Sequence, residues 1–296
     1  MNPTQKLTAR RARVRSGISG LSDWWLTLPL GLFFAIFVAV PLLLLAAISF
    51  HTDASMQHWG VNQYQRYFTD PYNRGVLWST IGLGLATTAV CIVFGYPIAW
   101  LYTASAPKWR RVILLCILMP LLTSSVVRTF AWVVILGNDG LIDHTLMALG
   151  WVTYPVKLLY TPSAVVVSLA QIELPLMILP LASSLGAIDT RLTEASHALG
   201  ASQWRTWWRI SMPLSVPGLL SGALLVFTGA VSAFVVQTLV GGGQLMYMPF
   251  YIYQQAIESQ DYPFAAAVAM ILLVCILIMV TALNYFGRKT RGFIHG

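Results

Sequence analysis

Six stretches of the chain run apolar for 23 to 27 residues, separated by shorter polar segments. They cover 26–48, 76–102, 112–136, 163–187, 218–240 and 264–286. A helix needs about 20 apolar residues to cross the hydrocarbon of a bilayer. Helices also satisfy their own backbone groups, which lipid requires. The pattern therefore predicts an all-α membrane protein with six transmembrane helices. Four of the six stretches carry no charge, and Pro41, Pro97, Pro120, Pro175 and Pro180 lie in or near their ends. The first stretch is longer than the apolar part of a signal peptide and has no clear small-x-small site after it, so it reads as retained.

Composition agrees. The chain is 57% hydrophobic and 9% charged, far below the roughly 25% charge of a soluble domain. Its net charge of +8 does not form a phosphate-binding face. The basic residues sit at the ends of spans, so the bilayer is the expected partner and nucleic acid is not. With the N-terminus in the cytoplasm, fourteen Lys and Arg fall on the inner side: Lys6, Arg10, Arg11, Arg13, Arg15, Lys108, Arg110, Arg111, Arg191, Arg205, Arg209, Arg288, Lys289 and Arg291. Only Arg66, Arg74 and Lys157 fall outside. That asymmetry predicts that both termini are cytoplasmic, with the polar loop between spans four and five on the same side. The outer loops carry Asp53, Asp70, Asp139, Asp143, Glu258 and Asp261: acids collect where the positive-inside rule removes bases, and a mild attraction for cationic solutes is the sharper alternative. Residues 1–20 form a basic cytoplasmic tail, and 21–296 form one transmembrane domain. Cys91, Cys116 and Cys275 lie in apolar stretches without ligand spacing and read as packing residues.

The loop at 188–213 has its own pattern. Asp189 or Thr190 suits a helix N-cap. Leu192, Ala195 and Leu199 make a narrow apolar stripe, and Gly200 fits the left-handed position after the last turn. The helix would be about 12–14 Å long, too short to be stable alone. A second segment opens at Ser202, with Trp204, Trp207 and Trp208 on one face and Arg205 and Arg209 on another. Tryptophan favours the headgroup level, which puts this segment in the interface. Pro213 is expected to end it, and Gly218 to open the fifth span.

The spacing of Glu194, Ala195, Gly200, Ile210 and Pro213 resembles the EAA signature of ABC-importer permeases. Ser196 and Met212 replace the second Ala and the Leu of that signature. The resemblance covers about 75–288. It implies that this is the transmembrane permease subunit of an ATP-driven solute importer, forming half of the pathway. It also implies that a cytoplasmic coupling helix in the 188–213 loop docks an ATPase, through Glu194, Ala195, Ser196, His197, Leu199, Gly200, Ile210 and Pro213. The implied partners are an ABC ATPase dimer, a second permease subunit, homologous or identical, and an extracytoplasmic solute-binding protein. The implied location is the bacterial inner membrane.

The chain contains no Gly-Lys dipeptide and so no Walker A loop. No cofactor is expected on this chain; ATP and Mg belong to the partner ATPase. No HExxH or Gly-x-Ser-x-Gly occurs, and no enzyme activity is expected. Six spans are few for a self-contained carrier built from inverted repeats, although an ion-coupled secondary carrier is the alternative class.

Arg128 and Glu173 are the two charges deep in the spans, where charge is costly and faces a bundle interior or a cavity. Helical rise separates their depths by about 9 Å. Two roles stand open: a structural ion pair, or a place on the substrate path together with Trp132. The run from Ser125 to Asp143, with Arg128-Thr-Phe-Ala-Trp132, is similar to the spermidine/putrescine permease branch, as is Leu239-Val-Gly-Gly-Gly. Asp143 departs from that branch, where Asn is common. A polyamine or other small cationic amine is the implied cargo; ferric iron, sulfate, opines and amino-acid derivatives are carried by related branches.

Overall fold

A computed structural model describes residues 22–53, 57–138, 140–154 and 156–292. The basic tail at 1–20 and the outer-loop Asp139 lie outside the described residues. The described residues are helical apart from turns and a single His51–Trp59 bridge. In chain order the helices are α1 (Ser22–Phe34), α2 (Val40–Ser49), α3 (Asn62–Thr69), α4 (Pro71–Ala104), α5 (Pro107–Leu122), α6 (Ser125–Leu136) and α7 (Leu141–Ala148). There follow α8 (Pro162–Gly186), α9 (Thr190–Ala198), α10 (Gln203–Thr206), α11 (Met212–Ser232), α12 (Phe234–Gly241), α13 (Met248–Tyr253) and α14 (Tyr262–Gly292).

Among the described residues six runs are long and apolar enough to cross a membrane: Leu28–Ser49, Pro71–Ala104, Ser125–Ala148, Pro162–Gly186, Gln203–Ser232 and Tyr262–Tyr285. Four agree with the sequence pattern to within a few residues. The third does not. The stretch at 112–136 is broken where Thr123 takes extended backbone angles and Ser124 stays outside the helical region. Pro120 withdraws a ladder hydrogen bond one turn earlier, and the Thr123 hydroxyl donates to the Pro120 carbonyl at 2.9 Å, which competes with helix continuation.

The fifth run is also corrected, because it begins at Gln203 rather than Gly218. Pro213 does not end the tryptophan segment. A wide π turn over Trp207–Ser211 closes when the Met212 N–H donates to the Trp207 carbonyl. Pro213 follows in the first turn of α11, where a missing N–H is tolerated.

The core is centred on α8, which packs against α4 and α11. Leu169, Met177, Leu181, Val226 and Val231 are buried there. Lipid tails give helices no hydrophobic reason to associate, so close approach through small residues supplies the contact. Gly218 and Gly222 on α11 provide it. A Cβ at Gly218 would lie 2.6 Å from the Pro180 carbonyl oxygen, and one at Gly222 would lie 3.0 Å from that of Met177. Backbone cannot yield as a side chain can. Gly222→Val is therefore expected to force α8 and α11 apart at a cost of about 1–3 kcal/mol, read as a lower melting temperature in detergent. An unchanged melting temperature would refute this packing.

α1 and α2 stand differently. Leu30, Phe33, Phe37 and Leu43 are all exposed, as suits a helix facing lipid, and α2 rests on α14. At one end of the molecule Arg66 pairs with Asp261 at 2.8 Å and covers the Phe264 ring at 4.2 Å. The Tyr251 hydroxyl donates to Asn73 Oδ1 at 2.6 Å. Burial pushes the Tyr251 phenol up to about 12, so it stays a neutral donor in this clasp. The Arg110 guanidinium lies 4.7 Å from the Tyr102 ring centre. The segments that meet in each case are ones that the charge pattern assigns to the same side.

Candidate functional site: the polar loop and the buried charges

The polar loop folds as its caps dictate. Asp189 accepts from the Arg191 N–H at 2.9 Å and starts the nine-residue α9. At the other end Gly200 has φ +80°. Its N–H donates to the His197 carbonyl at 2.9 Å, and the Ala201 N–H donates to the Ser196 carbonyl at 3.1 Å. This is a Schellman closure, and it requires the left-handed angle that glycine supplies. His197 Nδ1 lies 3.2 Å from the Ala201 carbonyl oxygen.

The stripe on α9 faces outward. Leu192 is 48% exposed and Leu199 is 89% exposed. Glu194 and Ala195 are exposed as well, while Ile210 and Pro213 are half-buried on the following helix. The chain thus presents an apolar edge that its own fold does not cover. Ser196 turns the other way, and its hydroxyl lies 2.9 Å from that of Thr206. Ser202 caps α10 by accepting from the Arg205 N–H at 3.3 Å. Trp204 and Trp207 stack at 5.0 Å, and Trp208 meets Trp207 edge-on at 4.9 Å. Arg205 and Arg209 are exposed.

The second group lies inside the bundle. Glu173 on α8 is 9% exposed, and its Oε2 has no hydrogen-bond partner among the described residues. Arg128 on α6 is near enough to attract it, but its Nε and Nη1 are likewise unpartnered. The sole direct ion pair among the described residues is Arg66–Asp261. Trp132, one turn beyond Arg128, donates from Nε1 to Gln171 Oε1 at 3.2 Å, which fixes the indole against α8. Gly229 on α11 completes the wall. A Cβ there would lie 2.5 Å from Glu173 Oε2 and 2.8 Å from Oε1.

Thr206, Gln171 and Gly229 were not singled out by sequence reasoning. A signal for Gly229 was present: Gly218, Gly222 and Gly229 recur at intervals of four and seven, which is one face of a helix. Of the cysteines, Cys91 is buried and its thiol donates to the Ala170 carbonyl at 3.4 Å. Of the outer tyrosines, Tyr251 is buried in the clasp while Tyr253 and Tyr262 remain exposed.

Residues 92–292 match the family described as binding-protein-dependent transport system inner membrane component. The chain belongs to that family. It is a multi-pass transport permease of the inner membrane. The spermidine/putrescine transport system permease protein PotB of Escherichia coli K12 is 34% identical over 83% of this chain and 90% of its own length. The protein of the same name from Haemophilus influenzae is 32% identical over 82% of this chain and 86% of its own length. A molybdenum transport system permease protein, ModB of Mycobacterium tuberculosis, is 29% identical over 86% of this chain and 90% of its own length. In fold the chain is similar to a bacterial ABC transporter involved in import of the polysaccharide alginate, with a TM-score of 0.73 at 19% identity over 94% of this chain and 99% of that one. It is also similar to the MetNI methionine ABC transporter, with a TM-score of 0.53 at 22% identity over 74% of this chain and 94% of that one.

Proposed function

We propose that this permease forms half of the pathway of an ATP-driven importer, with a core over 75–288 and a docking element over 188–213. The observation that carries this reading is the uncovered apolar edge of α9, Leu192 and Leu199, on a helix capped at both ends. A short helix is a poor structure alone but a good key for a partner's groove. The occupant is an ABC ATPase dimer, which binds the ATP and Mg; this chain carries no cofactor and no phosphate loop. With the positive-inside distribution, α9 and both termini face the cytoplasm. A second permease subunit completes the pathway, and an extracytoplasmic binding protein delivers the solute.

The cargo is a polyamine or a similar small cationic amine. The spermidine/putrescine permeases among its relatives support this, and so does the chemistry of Glu173, a buried acceptor with an oxygen unpartnered. Arg128 beside it supports a second reading, an anionic cargo, and one relative has molybdenum in its name. The deciding experiment reconstitutes the four components in liposomes and follows labelled spermidine against labelled molybdate. Spermidine uptake that needs internal ATP is expected. Molybdate uptake instead would reverse the cargo, and gradient-driven uptake by this chain alone would replace the importer reading with a carrier.

A further inference from the structure

Ser196 stands where the docking signature has alanine, and it adds a hydroxyl that the signature lacks. That hydroxyl is not spent on solvent or on the exposed edge of α9. It meets Thr206 Oγ1 at 2.9 Å, ten residues along the chain, and Thr206 is 4% exposed. The Thr206 N–H is held by the Ser202 carbonyl at 3.0 Å. Trp207 follows immediately, with its ring edge-on to Tyr96 of α4 at 5.3 Å. The Ser215 hydroxyl donates to the Met212 carbonyl at 2.9 Å, so at 3.0 Å it accepts from the Tyr96 hydroxyl. Ser215 is fully buried.

We propose that the Ser196–Thr206 hydroxyl pair is the latch that carries motion of α9 into the spans. It does so through Trp207 and Tyr96 to α4, and through Ser215 to α11. Ser196 is a positioning residue, and this rests on the reading of α9 as the ATPase dock. Without the latch, α9 is joined to the bundle by the Schellman turn at Gly200–Ala201, the His197 contact to Ala201, and the loop at 187–189. With it, displacement of α9 moves the start of the helix that runs on into α11. A cleft of about 430 Å³ beside the contact, lined by Tyr96, Pro97, Trp100, Gln203, Trp204 and Trp207, gives Trp207 room to slide. Packed contacts with two arrangements are the physical carriers of coupling between sites.

The test uses the permease–ATPase complex in liposomes. One spin label is placed at Thr190→Cys on α9 and another at Trp78→Cys near the far end of α4, both exposed positions. The distance between them is measured without nucleotide and after vanadate trapping. Ser196→Ala restores the signature residue, so folding and ATPase retention are expected to survive, but the nucleotide-driven shift should fall by at least half. Thr206→Val should match it, and the double variant should be no worse than either single one. A full shift in Ser196→Ala would overturn the latch, and so would additive losses or loss of the ATPase from that variant. No shift in the parent complex would overturn the docking reading, and the latch with it.

Discussion

Replacing Gly200 by Asp is expected to leave the permease folded and inserted but to detach or uncouple the ATPase. Two observations separate these effects. The φ of +80° at Gly200 disfavours a side chain, yet Asp is among the residues that tolerate this region, at a local cost of about 1 kcal/mol. A Cβ at Gly200 would meet nothing within 4 Å. The chain itself therefore has room for the carboxylate, and only an object seated on α9 would collide with it. Retention of the ATPase on the purified permease should drop by about tenfold or more, the effect of a bulky charge at the centre of a small interface. The melting temperature of the permease alone should change little. Solute-stimulated ATP hydrolysis at the parent level would refute the assignment of this loop. Gly200→Ala is the companion control: it carries at least the backbone strain of Asp with little bulk and no charge, so it separates strain from collision.

Much of this arrangement could be read from residue order. Long apolar runs allow one solution in lipid, and four of the spans follow from length alone. The caps of α9 were readable because Asp189 and Gly200 act on their own neighbours. What escaped was decided by contacts distant in sequence or by compensation. Pro213 normally ends a helix, but the π turn before it absorbs the defect, and nothing local announces such a turn. Pro120 was visible, yet whether a membrane helix bends or breaks there depends on Thr123 taking over a carbonyl. The lone charges Arg128 and Glu173 were evident as costs. Their surroundings were not, since Gly229 matters only once the face of α11 that meets α8 is known. Ser196 read as a small departure from a signature, and its partner Thr206 emerged only from the fold.

Glu173→Gln should abolish uptake while leaving the complex assembled. The change is nearly isosteric and keeps an acceptor oxygen, so the close fit against Gly229 survives. What is lost is the negative charge. In a bilayer interior such a charge is too costly to keep without a partner that compensates it. Among the described residues the compensation is incomplete: Arg128 attracts Glu173 but does not pair with it directly, and Oε2 has no hydrogen bond. A passing ammonium would supply the missing partner. Removing one member of a desolvated charge pair costs about 2–5 kcal/mol, so transport of a cationic amine should fall by about 30-fold or more. Gly229→Ala should weaken transport less, because its methyl displaces the flexible end of Glu173 and not backbone. If Glu173→Gln instead prevents assembly, Glu173 and Arg128 are a structural pair and the pathway lies elsewhere. If Glu173→Gln transports normally, the carboxylate does not contact the solute. Arg128→Gln separates the cargo classes: its removal should spare or strengthen amine transport but would abolish that of an anion.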